Sequence, residues 1–306
     1  MAKGNMFLGY ARGSVGDVTL SKINGQQVSR ARNRNPKNPR TLAQCFQRGR
    51  FAAAVKFFTR GRQALYKFAF ESKKQIESDY NAFMANNVKI APAISKAAFD
   101  NYDYPVVAPF IMSKGSLLPL AVSLTAESGV VNLGGTAPTE APTTIGQLSA
   151  ALLFDSQYQS GDIVTLVFIT SAYNGTYPSI EAEGTGKTSW EIRQFIIDTE
   201  STATIADALG MQYAAAEGAV TLTIPAGASP LGGTLHAMTA IHSRNTASGL
   251  KTSTQELVLS AGAETAYEAM QADTYKQSVS ASWKQVGKVD VQPEAILQGS
   301  IAYGEQ

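Results

Sequence analysis

The rhythm of apolar and polar positions changes twice along this chain, near residue 40 and again near residue 100. In residues 4–16 the glycines Gly4, Gly9, Gly13 and Gly16 are spaced through Tyr10, Arg12 and Val15, a texture of extended or turning backbone. Residues 17–23 and 26–30 flank Asn24-Gly25, the dipeptide best suited to a two-residue hairpin turn. Residues 30–40 then set basic side chains among small polar ones. Pro36 and Pro39 forbid a regular helix there, so an extended basic strap is expected.

From Thr41, a residue type that caps helices, to about Lys74 the spacing is helical. Phe51, Val55, Phe58, Leu65 and Ala69 are expected on the inner stripe, with Arg48, Lys56, Arg60, Lys67 and Lys74 largely off it. Gly49 and Gly61 mark either breaks or close backbone approaches, so one long helix and two shorter ones both fit. A short helix from Ser78 or Asp79 to Met84 is expected to fold back through Tyr80, Phe83 and Met84.

Beyond residue 100 the texture becomes short β-branched or apolar runs separated by Gly, Pro and Ser. Strands are expected at 115–124, 162–170, 219–224, 234–242, 255–259, 278–286 and 299–303. Helices are expected at 144–153 and 189–197, the latter with Trp190, Ile192, Phe195 and Ile196 inward, and a short one at 202–209; 133–143 reads as a loop. The expected fold class is α+β, mainly β. Residues 1–40 form a basic arm with a hairpin, 41–99 a helical segment, and 100–306 a β-sandwich body, jelly-roll-like or another two-sheet arrangement.

Charge changes the picture most. Of 306 residues, 44% are hydrophobic and only 16% charged, so the surface is covered largely by uncharged polar and small side chains, which suits packing against neighbours. The formal charge of +2 hides a segregation. Residues 1–75 hold sixteen Lys and Arg against Asp17 and Glu71, whereas the remaining 231 residues hold ten bases and twenty-two acids. Such asymmetry marks a nucleic-acid or membrane-binding region, and the strap has no bulky apolar anchors for a membrane. The candidate phosphate contacts are Arg30, Arg32, Arg34, Lys37, Arg40, Arg48, Arg50, Lys56, Arg60 and Arg62, and the Arg bias suits bidentate phosphate pairing. A solvated basic face, balanced by the acidic body of a neighbouring subunit, is the bland alternative. Tyr10, Phe46, Phe57 and Tyr66 are candidates for base stacking, although aromatics at such spacing more often fill a core.

The remaining motifs point away from catalysis. Gly184-Thr185-Gly186-Lys187-Thr188 lacks the earlier glycine of a phosphate loop, since that position is Glu181. His236 and His242, the only histidines, are six apart in an expected strand, on one face by alternation, and neither has a metal-ligand or nucleophile pattern nearby. Cys45 is the single cysteine, and no run resembles a signal peptide or membrane span. No catalytic residue, cofactor, metal, membrane or small-molecule substrate is expected.

The segments Gly13-Ser14-Val15-Gly16-Asp17-Val18, Asn24-Gly25-Gln26-Gln27-Val28-Ser29-Arg30 and Asn38-Pro39-Arg40-Thr41-Leu42-Ala43-Gln44 with Gln47-Arg48, then Glu77 to Phe83 and Ser113 to Leu117, carry a resemblance. Over about the first 110 residues the chain resembles poorly characterised proteins encoded by Bacteroidota genomes and by gut-associated small DNA viruses. For the viral members this resemblance implies a virion structural or coat protein. The expectation is a self-assembling homo-oligomeric capsid protein, made in a host cytoplasm, that contacts packaged nucleic acid, as DNA, through its basic N-terminal region. A cellular nucleic-acid-binding protein, or a filament or tail component assembling without nucleic acid, are the rivals.

Overall fold

The computed structural model describes residues 3–5, 10–23, 26–35, 40–65, 69–71, 78–100, 108–125, 128–154, 157–171, 188–216, 218–224 and 234–285. The chain divides into two compact units, one of residues 1–40 and 74–77, the other of residues 41–73 and 78–306. The fold is α+β and mainly β, in several antiparallel sheets with no closed barrel.

The first unit is a meander of four strands in chain order, β1 (Lys3–Asn5), β2 (Tyr10–Val15), β3 (Val18–Ile23) and β4 (Gln26–Ala31). Its β2–β3 turn is Gly16-Asp17, with Gly16 at φ 55°, a conformation glycine takes without steric cost. Ile23 pairs with Gln26 across the expected hairpin; Asn24 and Gly25 themselves lie outside the described residues. The Gln27 side chain secures β2, its Nε2 donating to Ala11 O and its Oε1 accepting from Ala11 N–H.

The second unit opens with α1 (Leu42–Leu65), one unbroken helix. Its start is a capping box: Gln44 N–H donates to Thr41 Oγ1 while Thr41 N–H donates to Gln44 Oε1. The buried face is Cys45, Gly49, Ala52, Ala53, Ala54, Phe57, Phe58 and Gly61; of the expected stripe Phe58 and, beyond the helix, Ala69 are buried and Val55 is half-buried. Phe51 is 49% exposed. The small residues permit close approach, because a Cβ at Gly49 would lie 2.8 Å from Ile94 O and one at Gly61 would lie 2.4 Å from the Trp190 ring. Helix α2 (Asp79–Asn87), capped by Ser78, brings Phe83 against Phe57, Phe58 and Phe110, and α3 (Lys96–Asp100) follows.

The strands of this unit come as hairpins. β5 (Ile111–Ser113) precedes β6 (Ala121–Leu124) and β7 (Gly129–Gly134); after α4 (Ile145–Leu153) come β8 (Ile163–Ser171) and β9 (Thr188–Ile196). Helix α5 (Ile205–Leu209) leads into β10 (Gln212–Ala216) and β11 (Ala219–Thr223), then β12 (Thr234–Thr246) and β13 (Gly249–Thr252). One sheet has the order β10-β11-β7-β6, and another β13-β12-β8-β9 with β15 (Val258–Leu259) also on β12, while β14 (Gln255–Glu256) pairs with β5. Successive hairpins thus alternate between the two large sheets, which distinguishes this two-sheet arrangement from a jelly roll.

The two large sheets enclose one core, containing Val131, Leu133, Val220 and Leu222 from the first and Val164, Leu166, Phe168 and Met238 from the second. The other face of the β8–β12 sheet, through Val167, Ile169, Ala237 and Ile241, shares a core with α1, α2 and Ala263 of α6 (Ala261–Ala269). Strand β8 is therefore apolar on both faces, which is why it reads as a near-continuous hydrophobic run. Helices α4 and α5, capped by Thr144 and Thr204, start back to back: Ile145 N–H donates to Ala203 O and Ile205 N–H to Thr143 O.

Two expected elements are corrected. The expected helix at 189–197 is β9, paired with β8 over nine residues, so Trp190 and Ile192 face the helices while Phe195 and Ile197 enter the inter-sheet core. The expected strand at 278–286 is instead part of helix α7 (Asp273–Gln285), where Val279, Ser280 and Trp283 recur at helical spacing and Trp283 Nε1–H donates to Ile94 O. The expected strand 115–124 keeps only β6, and 299–303 lies outside the described residues. No helix among the described residues is long and apolar enough to cross a membrane.

Candidate nucleic-acid interface

The ten candidate cations do not share one environment. Arg30, on β4, and Arg32, just beyond it, are exposed. Arg32 N–H donates to Asp17 O, and Arg34 Nη2 lies 2.5 Å from Asp17 Oδ1, so the one acid of residues 1–40 sits at the β2–β3 turn and is paired there. That pair is exposed on both sides, where such bridges contribute little stability. Arg40 is half-buried at φ 48°, a left-handed conformation unusual for a side chain with a Cβ. Lys37 lies outside the described residues, as does the side chain of Arg62.

The helical cations are engaged differently. Arg50 Nε donates to Ala91 O at 3.1 Å, and its guanidinium lies 5.7 Å from the Phe46 ring centroid. Lys56 Nζ donates to Ala98 O at 3.0 Å and lies 5.3 Å from the Phe99 ring centroid. Both therefore satisfy carbonyls at the ends of neighbouring segments. Arg48 is half-buried and Arg60 exposed. Of the candidate stacking aromatics, Phe57 is buried against Phe83, Phe110 and Trp190, as a core residue. Phe46 is half-buried, and the side chains of Tyr10 and Tyr66 lie outside the described residues.

The candidate contacts left out Lys3, Arg12 and Lys22 of the meander, and the register brings Arg12 onto the same face as Arg30. Ser14 Oγ lies 3.1 Å from Thr19 Oγ1, which fixes Ser14 and Thr19 on the same face, and alternation places Arg12 and Ser21 with them. Thr19 pairs with Arg30 and Ser21 with Val28, so Arg12 and Arg30 share that face. Alternation along β2 was the available signal, hidden by the glycines on either side of Arg12.

Two polar clusters in the second unit were not readable at all. Asp162, 1% exposed, accepts from Arg244 Nε at 2.7 Å and Nη2 at 2.6 Å, lies 2.8 Å from His242 Nε2, and accepts from Gln159 N–H at 2.9 Å. Burial pushes its carboxyl up, but the bonds from Arg244, His242 and Gln159 outweigh that and hold it at about 2, while the bond to Asp162 raises the Arg244 guanidinium. The partner set assigns the Nε2–H tautomer to His242. Its Nδ1 has no partner, and the arrangement neutralises a buried carboxylate without presenting a nucleophile. His236 falls at a bulge between Leu235 and Ala237, and burial lowers its imidazole. Because the bulge leaves Leu235 and Met238, three apart, on one core, simple alternation no longer places the two histidines on one face.

In the second cluster, Glu71 accepts from Ser116 N–H at 2.7 Å, Ser116 Oγ and Thr252 N–H. Partial burial pushes its carboxyl up, yet these bonds and the charge of Lys251 bring it below the usual range. The Ser113-Lys114-Gly115-Ser116-Leu117 segment is explained by this clasp. Ser113 Oγ donates to Ser253 O, Lys114 N–H to Ala69 O, Gly115 N–H to Thr254 Oγ1 and Leu117 N–H to Thr252 O. A Cβ at Gly115 would lie 2.1 Å from Thr252 O. Among the described residues no cluster of three or more His, Cys, Asp or Glu side chains is placed to hold a metal.

Residues 10–137 match the model of a family of unknown function, DUF6266. That stretch begins with β2 and ends just beyond β7, so it contains three of the four meander strands, the α1 capping box and the Ser113 to Leu117 clasp. No curated protein and no solved structure matches the chain.

Proposed function

We propose that this chain is the structural subunit of a nucleoprotein assembly, a virion coat protein that self-assembles through its β-rich body and contacts packaged DNA through its basic N-terminal region. The observation that carries this reading is the segregation of charge along the chain: residues 1–40 carry eight bases and one acid, and that acid is paired with Arg34. A folded module with an uncompensated positive charge attracts a polyanion, and its affinity follows counterion release. The low charge of the remaining surface and the internally closed Asp162 and Glu71 clusters support a packing role for the body. The resemblance of the N-terminal segments to proteins of small DNA viruses supplies the virion setting.

Electron microscopy of the purified full-length protein tests the reading, with the absorbance ratio at about 260 and 280 nm read on the same sample to report bound nucleic acid. Closed or tubular particles carrying nucleic acid are expected. Heterogeneous complexes with DNA would favour a cellular DNA-binding protein, protein-only filaments a filament or tail component, and a monomer that binds no DNA would refute the proposal.

A further inference from the structure

The reading above assigns nucleic-acid contact to a region of 75 residues without saying which surface makes it. The cations of that region are sorted by the fold. Arg50 and Lys56 donate to main-chain carbonyls of the 91–98 segment, and Arg34 is paired with Asp17. Arg12 and Arg30 are exposed, take no protein partner among the described residues, and share one face of the meander.

That face has the chemistry of a phosphate surface. Between the two arginines lie the hydroxyls of Ser14, Thr19 and Ser21, neutral groups able to donate to phosphate oxygens. The backbone register sets Lys3 opposite Arg12, extending the row of basic positions onto β1. No carboxylate-bearing residue falls on the face, because the sole acid of residues 1–40 is in the Gly16-Asp17 turn. Arg12 on β2 and Arg30 on β4 are separated by one intervening strand and two residues along it, or about 12 Å at the usual strand dimensions. The opposite face is mixed: it carries Val15, 54% exposed, Val18, 42% exposed, and Leu20 together with Lys22, Gln27 and Ser29.

We infer that the Arg12–Arg30 face of the meander is the nucleic-acid contact surface, that it binds the phosphodiester backbone, and that Arg12 is one of its principal contacts. This rests on the reading that the N-terminal region binds nucleic acid, and specifies where. The neutral hydroxyls and the two arginines suit phosphate oxygens.

The test is fluorescence anisotropy of full-length protein with a labelled DNA duplex of about 30 base pairs and its single strand, across a salt series. Four proteins are compared: wild type, R12A/R30A, R12K/R30K and the second-unit variant K89A/K284A, which removes two exposed lysines outside the basic region, each checked for unchanged circular dichroism. R12A/R30A should lower the magnitude of the log K against log salt slope by about 2 and weaken binding roughly 10- to 100-fold near 0.1 M salt. R12K/R30K should restore most of the slope, since Lys retains the charge but not the bidentate geometry. K89A/K284A should leave the slope within experimental error. If the wild type binds DNA and R12A/R30A keeps its slope, the inference is overturned while DNA binding by another surface stands. If the wild type binds neither oligonucleotide, both are overturned. Loss of self-association in R12A/R30A with unchanged DNA binding would assign the face to an acidic surface of a second copy, and would also overturn it.

Discussion

Replacing Asp162 with Asn isolates the energetics of the most deeply buried charge in the second unit. The substitution keeps shape and one acceptor but removes the negative charge from between Arg244 and His242, leaving Arg244, only 15% exposed, beside a neutral amide. A carboxyl held at about 2 rather than near its ordinary value contributes about 2 to 3 kcal/mol at neutral pH. The cation left behind adds a desolvation cost, so a loss of roughly 3 kcal/mol and a melting temperature lower by roughly 5 to 10 °C are expected. Because the folded pKa lies below the unfolded one, the contribution is complete above about pH 4 and is lost as pH falls through about 2. The stability difference between wild type and D162N should therefore shrink over that interval. Urea unfolding followed by the fluorescence of Trp190 and Trp283 measures it at each pH. Adding R244M should recover part of the loss, because no unpaired buried cation then remains. The reasoning is refuted if D162N unfolds within about 0.5 kcal/mol of wild type at neutral pH, or if the difference between them is unchanged on acidification.

Other close contacts yield further expectations. Gly61→Ala gains about 1 kcal/mol of helix propensity, but its Cβ would meet the Trp190 ring at 2.4 Å; overpacking by roughly 1 to 3 kcal/mol wins, with a shifted Trp emission, and net stabilisation would contradict this. Glu71→Gln keeps one oxygen for the N–H groups of Ser116 and Thr252 but removes the charge and sets an amide donor against Ser116 Oγ, and should cost about 1 kcal/mol in denaturant unfolding. Gly115→Ala should be at least as damaging, since the obstructing atom is the main-chain oxygen of Thr252. Thr41→Ala removes one half of the capping box and should lower stability by about 1 kcal/mol, whereas Thr41→Ser should restore it.

Several features of the fold were determined by the sequence alone because their causes lie within a few residues. The β3–β4 pairing follows from alternation around a two-residue turn, and the Thr41 and Ser78 caps follow from a side chain reaching a main-chain N–H three positions on. The buried strand β8 announces itself by apolar residues on both faces. The segregation of positive charge into residues 1–75 also needs no coordinates.

Tertiary structure decided what local pattern could not. Residues 189–197 have spacing that suits a helix, yet nine residues of pairing with β8 make them a strand; residues 278–285 contain alternation that suits a strand, yet Val279 and Trp283 pack as one helical face. Gly49 and Gly61 were ambiguous until Ile94, Trp190 and Trp283 showed what each lies against. Asp162 and His242 are eighty residues apart, and Glu71 and Thr252 one hundred and eighty-one, so no spacing along the chain could announce either cluster. The candidate site divides in the same way. Composition identifies a basic region, but whether an arginine meets a carbonyl, a carboxylate or solvent depends on which distant segment the fold brings to it, and that sorting leaves the side chains of Arg12, Arg30 and Arg32 to solvent.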